Sequence, residues 1–185
     1  MLSDCRSCGS QSLELLIDFG QQSVSNQFEK IKASELALIS LRLGQCKACG
    51  LLQLADIVPA HKMRPKLAMV YREPEGHLDS VVNDISDIVG IDTNTNICGL
   101  TYKDDSTLER FKNSMSVTSW RPDVSEFGIK QPFANIETIQ EVINKDRCDT
   151  LVDGKGKVDI VIARHILEHC SNPLQFLNGL RVLLE

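Results

Sequence analysis

The chain has 185 residues, 42% of them hydrophobic, which is enough for one globular domain or two small ones. Its formal net charge of −5 argues against a general nucleic-acid binder, because a polyanionic backbone is bound by a basic surface. The N-terminus lacks the basic and apolar regions of a secretory signal, and no apolar run approaches the roughly 20 residues that cross a bilayer, so we expect a cytoplasmic protein without membrane partners.

Two nearly identical cysteine motifs lie far apart in the sequence, CRSCG near the N-terminus and CKACG further on. A tight turn that carries two thiolates lets both sulfurs reach one tetrahedral ion, and the glycine after each pair tolerates a positive φ angle. Four thiolates complete a closed structural site with no open position for activating water. We therefore predict a structural Zn²⁺ site whose ligands are Cys5, Cys8, Cys46 and Cys49.

The alternatives for these motifs are ordinary buried cysteines or a redox pair, but a redox site needs only one CxxC. In a reducing compartment the odd total of seven cysteines does not indicate a disulfide scaffold. The other three, Cys98, Cys148 and Cys170, have no partners at metal-binding spacing, so we expect them to be small buried residues.

The segment between the two motifs is longer than in common zinc fingers, so it must form secondary structure of its own. Its halves, SLELLIDFGQQSVSN and ELALISLRLGQC, favour strands joined by a loop. The predicted unit over residues 1–58 is a small zinc-ribbon-like module.

The sequences CRSCGSQSLELLIDFGQQSVSNQF and LRLGQCKACGLLQL together resemble the N-terminal zinc-binding domain of the sugar C-methyltransferase family, over about residues 1–56. The resemblance implies that a Rossmann-like methyltransferase domain follows and that S-adenosyl-L-methionine is its cofactor. It also implies a nucleotide-linked keto-deoxysugar as the small-molecule substrate. Neither the methylated position nor the oligomeric state follows from the sequence.

Residues 59–77 are interpreted as a connector rich in Pro, Glu and His. The resemblance implies that a tyrosine in this stretch reaches the active site, and Tyr71 matches that position. The alternative is that Tyr71 and His77 only pack or cap within a linker. The following LDSVVNDISDIVG has apolar residues at spacings of three and four, which predicts an amphipathic helix ending at Gly90.

The next predicted unit is a strand in NICGLTY, a loop and a helix that a capping box of Ser106 and Glu109 opens. In a Rossmann-like domain a glycine-rich loop lets the backbone approach the cofactor closely. Only one glycine is present at this place. The candidate cofactor-binding residues are Gly99, Lys103, Asp104 and Asp105, although Asp105 has the alternative role of favouring the helix N-terminus.

The stretch SVTSWRPD predicts a second strand that ends at Asp123, where Rossmann-like folds place an acidic residue on ribose hydroxyls. Asp123 is therefore a candidate cofactor-binding residue, with a turn after Pro122 as the alternative. ANIETIQEVINK predicts a helix, and DGKGK predicts a flexible turn.

The apolar run from Val158 to Ala163 predicts a strand buried on both faces, and Asn172 with Pro173 predicts the start of a helix. Between them lies RHILEH, at the end of a strand that faces the binding crevice. Arg164 is a candidate for cofactor binding there. His165, with His169 second, is the candidate general base for removing a proton beside a keto group, and Glu168 completes the cluster.

The predicted fold class is α/β: a zinc-ribbon-like module followed by a partial Rossmann-like domain over residues 78–185. We expect the chain to be a fragment, because it stops in the helix after the fourth predicted strand of the methyltransferase sheet and an open sheet edge would be exposed. The alternative function is a noncatalytic zinc-ribbon protein that binds a nucleotide-sugar or a protein partner.

Overall fold

A computed structural model of the chain describes residues 4–24, 38–63, 74–130 and 136–184. The chain divides into two compact units, Met1–Met69 with Ser171–Leu174, and Val70–Cys170 with Gln175–Glu185. Within the described ranges, no helix is long and apolar enough to cross a membrane.

The first unit contains an antiparallel sheet of three strands, in the order β1-β2-β3. The strands are β1 (Leu13–Ser23), β2 (Leu38–Cys46) and β3 (Leu52–Leu54), and a short helix α1 (Ala60–Met63) follows. Leu13 lies opposite Cys46 in the register, and both belong to a small buried cluster with Cys5 and Ala55. The predicted strands between the two cysteine motifs are thereby confirmed.

The second unit alternates helices with short parallel strands. In chain order its elements are α2 (His77–Val89), β4 (Asn96–Gly99), α3 (Asp105–Met115), β5 (Thr118–Trp120), α4 (Ile136–Val142), α5 (Lys145–Lys155), β6 (Ile160–Ile162) and, from Gln175 onward, α6 (Pro173–Leu184). The strands are parallel and lie in the order β5-β4-β6. The α/β class predicted from the sequence is therefore confirmed.

Helices cover both faces of the parallel sheet, as its alternating side chains show. Ile97 and Ile162 pack on one face with Val82 of α2 and Phe111 of α3. On the other face Cys98 belongs to the larger buried cluster, whose members from the helices include residues of α4, α5 and α6. Because neighbouring residues of a strand point to opposite faces, both clusters form on a single layer of strands. Parallel strands also bring their carboxyl ends to one edge of the sheet, where the loops after β4, β5 and β6 meet.

Helix α2 confirms the amphipathic helix that the sequence predicts before Gly90. It buries Leu78 and Val82, and Gly90 ends it in the left-handed conformation with φ of 71°. A residue with a side chain would be strained at this φ angle, which is the reason that glycine ends the helix.

Four local predictions are wrong. The strand predicted to end at Asp123 ends at Trp120. The strand before α6 is the third of the described parallel strands, whereas the sequence predicts a fourth.

The turn predicted for DGKGK begins three residues too early, because 153–155 form the last turn of α5 and only Gly156 onward leaves the helix. The capping box is absent, since helix α3 begins at Asp105, with Asp104 as the N-cap residue and no side-chain cap hydrogen bond. The hydroxyl of Ser106 instead contacts the carboxylate of Glu75.

Candidate functional site

The two cysteine motifs fold into matching turns. The backbone N–H of Gly9 donates to the carbonyl of Cys5 at 2.9 Å, and the N–H of Gly50 donates to the carbonyl of Cys46 at 2.8 Å. Both glycines have a left-handed backbone, with φ of 70° and 80°. The repeated CxxCG pattern therefore produces the same turn twice, because only glycine takes this conformation without strain.

The turns bring four sulfur atoms into one cluster. The Sγ atoms of Cys5, Cys8, Cys46 and Cys49 all lie within 4.8 Å of one another. The Cys5–Cys49 and Cys8–Cys46 sulfur pairs are 3.6 Å apart, too far for disulfide bonds. Zn–S bonds of about 2.3 Å in a tetrahedron place sulfur atoms about 3.8 Å apart, so the cluster fits Zn²⁺.

Each CxxC pair contains one thiol whose pKa is lowered and one whose pKa is raised. The backbone N–H of Cys8 lowers the pKa of Cys5, and the N–H of Cys49 lowers the pKa of Cys46 to about 6. For Cys8 and Cys49 a backbone N–H also favours the thiolate, but the neighbouring cysteines and burial outweigh it; the pKa of Cys8 rises to about 12 and that of Cys49 also rises. Four adjacent thiolates repel one another without a cation, and Zn²⁺ removes that repulsion.

Arg6, inside the first motif, ties the cysteine cluster to strand β3. Its backbone N–H donates to the side-chain oxygen of Gln53 at 2.9 Å, and its guanidinium donates to the carbonyls of Leu54 and Asp56. Asp56 in turn accepts from the guanidinium of Arg42. This network is not predictable from the sequence, because nothing in the spacing of CRSC indicates the direction in which the arginine points.

Residues 5–63 match a zinc-binding family model. This model, Methyltransf_13, carries the description "Putative zinc binding domain", and the matched range includes all four clustered cysteines. Among curated proteins, none matches the chain significantly. The first unit therefore contains a methyltransferase-associated zinc-binding domain, and both the sulfur cluster and the family match support Zn²⁺ as its metal.

The second candidate site lies in the second unit, at the carboxyl edge of the parallel sheet. Asp104 is fully buried there and does not reach solvent. Its Oδ2 accepts from the backbone N–H groups of Leu100 and Thr101 at 2.9 and 2.7 Å, and its Oδ1 accepts from the N–H of Arg164 at 2.8 Å. Burial raises the pKa of Asp104, although these three N–H donors act in the opposite direction. Asp104 thus closes the loop after β4 on itself and on the loop after β6.

The side chain of Arg164 also binds groups near the loop after β4. Its Nη1 donates to the carbonyl of Lys103 at 2.7 Å and lies 3.2 Å from the hydroxyls of Ser106 and Thr107. Its Nη2 pairs with the carboxylate of Glu75, in the segment just before α2. Hydrogen bonds from Arg164 and then from Ser106 lower the pKa of Glu75 to about 2.

Gly99 is the last residue of β4, and its surroundings leave no room for a side chain. A Cβ atom there would lie 2.8 Å from Cδ1 of Leu108 and 2.9 Å from Cβ of Asp104. The glycine is therefore required for packing between the strand and helix α3. This requirement is separate from any approach of the backbone to a cofactor.

The other cofactor candidates remain at the surface of this edge. Asp105 is exposed and pairs with Arg121, whose Nε lies 2.7 Å from Oδ1 of Asp105. Asp123 is exposed and forms the alternative turn, because its Oδ1 accepts from the N–H and hydroxyl of Ser125. Hydrogen bonds from Ser125 lower the pKa of Asp123. Lys103 lies with its Nζ 5.6 Å from the centre of the Tyr102 ring.

The cofactor that the sequence predicts for this edge is S-adenosylmethionine. Exposed carboxylates suit the ammonium and ribose hydroxyl groups of such a cofactor. Asp105 supplies one at the start of α3, and Asp123 supplies another in the loop after β5. The loop after β4 departs from the usual pattern, since the N–H groups of Leu100 and Thr101 already donate to Asp104. The carboxylate of Asp104 and the guanidinium of Arg164 already bind other groups of the protein. Their contact with a cofactor is not tested by these observations and stays a prediction.

The candidate base residues lie just beyond β6. His165 is exposed and has a left-handed backbone with φ of 53°. Its Nδ1 lies 3.7 Å from a carboxylate oxygen of Glu168, and both side chains are more than half exposed. His169 ends the 3₁₀ turn Leu167–His169 and is exposed as well. The structure therefore brings His165 and Glu168 together, whereas Tyr71 lies outside the described residues.

The three remaining cysteines are buried in the second unit, as predicted. Burial raises the pKa of Cys98 to about 12 and the pKa of Cys148 and Cys170 to about 11. A protonated buried thiol is a poor nucleophile and a poor metal ligand. These residues are packing groups of the core.

Proposed function

We propose that this protein is an S-adenosylmethionine-dependent methyltransferase that methylates a carbon of a nucleotide-linked keto-deoxysugar, with a structural Zn²⁺ in its first unit. The observation that carries the proposal is the methyltransferase-associated zinc-binding domain at residues 5–63. It is supported by the parallel sheet of the second unit, whose carboxyl edge gathers acidic groups and histidines in the place where α/β folds bind ligands.

The proposed zinc role is structural. The four cysteines occupy every position of a tetrahedral ion, so no position is left for water or substrate. The metal instead links the N-terminal turn to the end of β2, because one cysteine pair lies before β1 and the other lies at the end of β2. Folding of the first unit is accordingly coupled to Zn²⁺ binding.

In the proposed site Asp105 and Asp123 hold the cofactor, which supplies a methyl group on a good leaving group when bound. His165 takes the proton from the carbon beside the keto group, and its exposed imidazole with Glu168 at 3.7 Å suits that task. The developing enolate charge requires a hydrogen-bond donor. Tyr71 and His169 are the candidates for that donor.

A second candidate function is binding without catalysis, of a nucleotide-sugar or a protein partner. The closure of the loop after β4 by Asp104 favours it, because the backbone amides that glycine-rich loops offer to a cofactor are already occupied. In this case the zinc-binding domain would remain structural. The second unit would recognise a ligand without transferring a methyl group.

Calorimetric titration of S-adenosylmethionine into zinc-loaded protein tests the proposal. We expect micromolar binding that Asp123→Asn weakens about 10- to 100-fold, the effect of losing a charged hydrogen bond. Asp146→Asn, an exposed acidic residue in the first turn of α5, serves as the matched control and should bind as wild type. Absence of cofactor binding both by the folded, zinc-loaded chain and by any longer natural form of it would overturn the proposal. Binding of a nucleotide-sugar by that same protein would then support the second candidate.

A further inference from the structure

A buried carboxylate connects the loops that follow two neighbouring strands. Oδ1 of Asp104 accepts from the N–H of Arg164, and Oδ2 accepts from two N–H groups of its own loop. Strands β4 and β6 are adjacent and parallel, so this carboxylate lies between the two loops at the edge where both strands end. Three backbone donors on one buried carboxylate fix the positions of both loops.

The side chain of Arg164 also contacts the residues that follow β4. It contacts the carbonyl of Lys103 and the hydroxyls of Ser106 and Thr107, and it pairs with Glu75. The side chain is only 16% exposed, and that of Glu75 is 25% exposed. Both the backbone and the guanidinium of Arg164 are therefore held by groups from other segments of the second unit.

His165 lies between two fixed residues. Arg164 before it is held as described, and Ile166 after it is fully buried in the larger core cluster. The backbone of His165 is left-handed, with φ of 53°, a conformation that residues other than glycine adopt only when their surroundings impose it. The imposed turn leaves the imidazole exposed at the carboxyl edge, beside Glu168.

We propose that Asp104 and Arg164 are positioning residues, which hold His165 in its left-handed turn and so fix its imidazole at the carboxyl edge of the sheet. Asp104 lies in the loop after β4. Rossmann-like domains commonly have a glycine-rich sequence at this place, which binds the cofactor. The importance of a fixed His165 for catalysis rests on the proposed function. The positioning itself does not, because it is argued only from contacts among residues of this chain.

Nuclear magnetic resonance on the zinc-loaded chain of 185 residues tests the positioning without any ligand. In wild type, the N–H of Arg164 should exchange slowly and the ring protons of His165 should show one sharp environment. Asp104→Asn leaves one acceptor oxygen in place of two, so the N–H of Arg164 should exchange about tenfold faster or more. Arg164→Met should shift the ring resonances of His165, and Arg164→Lys, which can still pair with Glu75, should restore part of the shift.

Arg110→Met is the matched control. Arg110 also contacts Glu75 and Ser106, through their carbonyl groups, but the described structure places it on neither Asp104 nor Arg164. This variant should leave His165 unchanged, and the resonances of His61, which lies in the first unit, should stay unchanged in every variant. Should Asp104→Asn and Arg164→Met not fold, Glu75→Gln, which removes the charge paired with Arg164, gives the deciding comparison.

A folded Asp104→Asn or Arg164→Met protein whose His165 signals match wild type would overturn the inference. An N–H of Arg164 that exchanges in wild type as fast as an exposed amide would overturn it as well. Loss of S-adenosylmethionine binding, with the His165 effects as expected, would refute the proposed function and leave the positioning role standing. The two proposals therefore fail through different measurements.

Discussion

Glu75 and Arg164 form an ion pair although 89 residues separate them in the sequence. The carboxylate belongs to the segment just before α2, and the guanidinium belongs to the loop after β6. The hydroxyl of Ser106 also contacts this carboxylate, so the start of the second unit, the first turn of α3 and the end of β6 meet at one point. Most such contacts are weak on a protein surface, but here both partners are largely buried.

This ion pair predicts a specific loss of stability in acid. The pKa of Glu75 falls from 4.5 to about 2 in the folded protein, because Arg164 and Ser106 stabilise the carboxylate. The stability that it contributes is fully present above about pH 5 and is lost as the pH falls from about 5 to about 2. That contribution is about 1–3 kcal/mol after allowing for partial exposure.

Glu75→Gln should therefore lower the free energy of unfolding at pH 7 and flatten its decline between pH 5 and pH 2. Urea unfolding at a series of pH values measures both effects. Glu109→Gln, an exposed glutamate in α3, is the control and should preserve the wild-type pH profile. Identical profiles for Glu75→Gln and wild type would show that the ion pair contributes nothing.

Substitutions should distinguish the clustered cysteines, which bind the metal, from the cysteines that are buried in the core of the second unit. Cys49→Ser leaves three thiolates for Zn²⁺, so bound zinc should fall well below one ion per chain and the first unit should lose its cooperative unfolding. Cys148→Ala, a buried core cysteine, should keep full zinc while losing about 1 kcal/mol of stability in the second unit. Elemental analysis and thermal unfolding of both variants give the comparison. Full zinc content in Cys49→Ser would contradict the four-cysteine site.

The zinc-binding domain was largely predictable, because its signal is local and repeated. CRSCG and CKACG specify the same turn twice, and the alternating segments between them specify strands. Helix α2 was predictable for a similar reason, since its apolar spacing and Gly90 lie within one short stretch. The loop after β4 was not predictable. Asp104 turns inward because Arg164, 60 residues further on, donates to it, and no local pattern carries that information.

Helix α5 was missed for a different reason. Its sequence KDRCDTLVDGK contains a glycine and three aspartates, which are weak helix formers, so its local helix propensity is low. The helix forms because Cys148 and Leu151 are buried in the core and Asn144 caps the first turn by accepting from the N–H of Arg147. Tertiary packing and a cap thus override a weak local preference.

The two glycines Gly99 and Gly154 should respond to alanine in opposite directions. At Gly99 an added Cβ would lie 2.8 Å from Leu108, so Gly99→Ala should cost about 1–3 kcal/mol through overpacking. Gly154 lies within α5 and has nothing within 4 Å of an added Cβ, so Gly154→Ala should add about 0.5–1 kcal/mol through helix propensity. Chemical unfolding of the two variants measures the difference. Equal effects would contradict the packing described for β4 and α3.

The left-handed backbone of His165 allows strain to be separated from chemistry. Glycine takes a φ of 53° freely, so His165→Gly should leave the free energy of unfolding unchanged or raise it by up to about 1 kcal/mol. Valine is disfavoured there by its branched side chain, so His165→Val should cost about 1–2 kcal/mol. Ser116→Gly, at the left-handed residue that ends α3, is the control for the backbone effect and should behave as His165→Gly does.

If His165 acts as the base, both His165 variants lose methyl transfer although their effects on stability differ in sign. A stable, fully active His165→Gly enzyme would remove His165 from the mechanism, and a His165→Gly protein much less stable than wild type would show that the imidazole itself supports the fold.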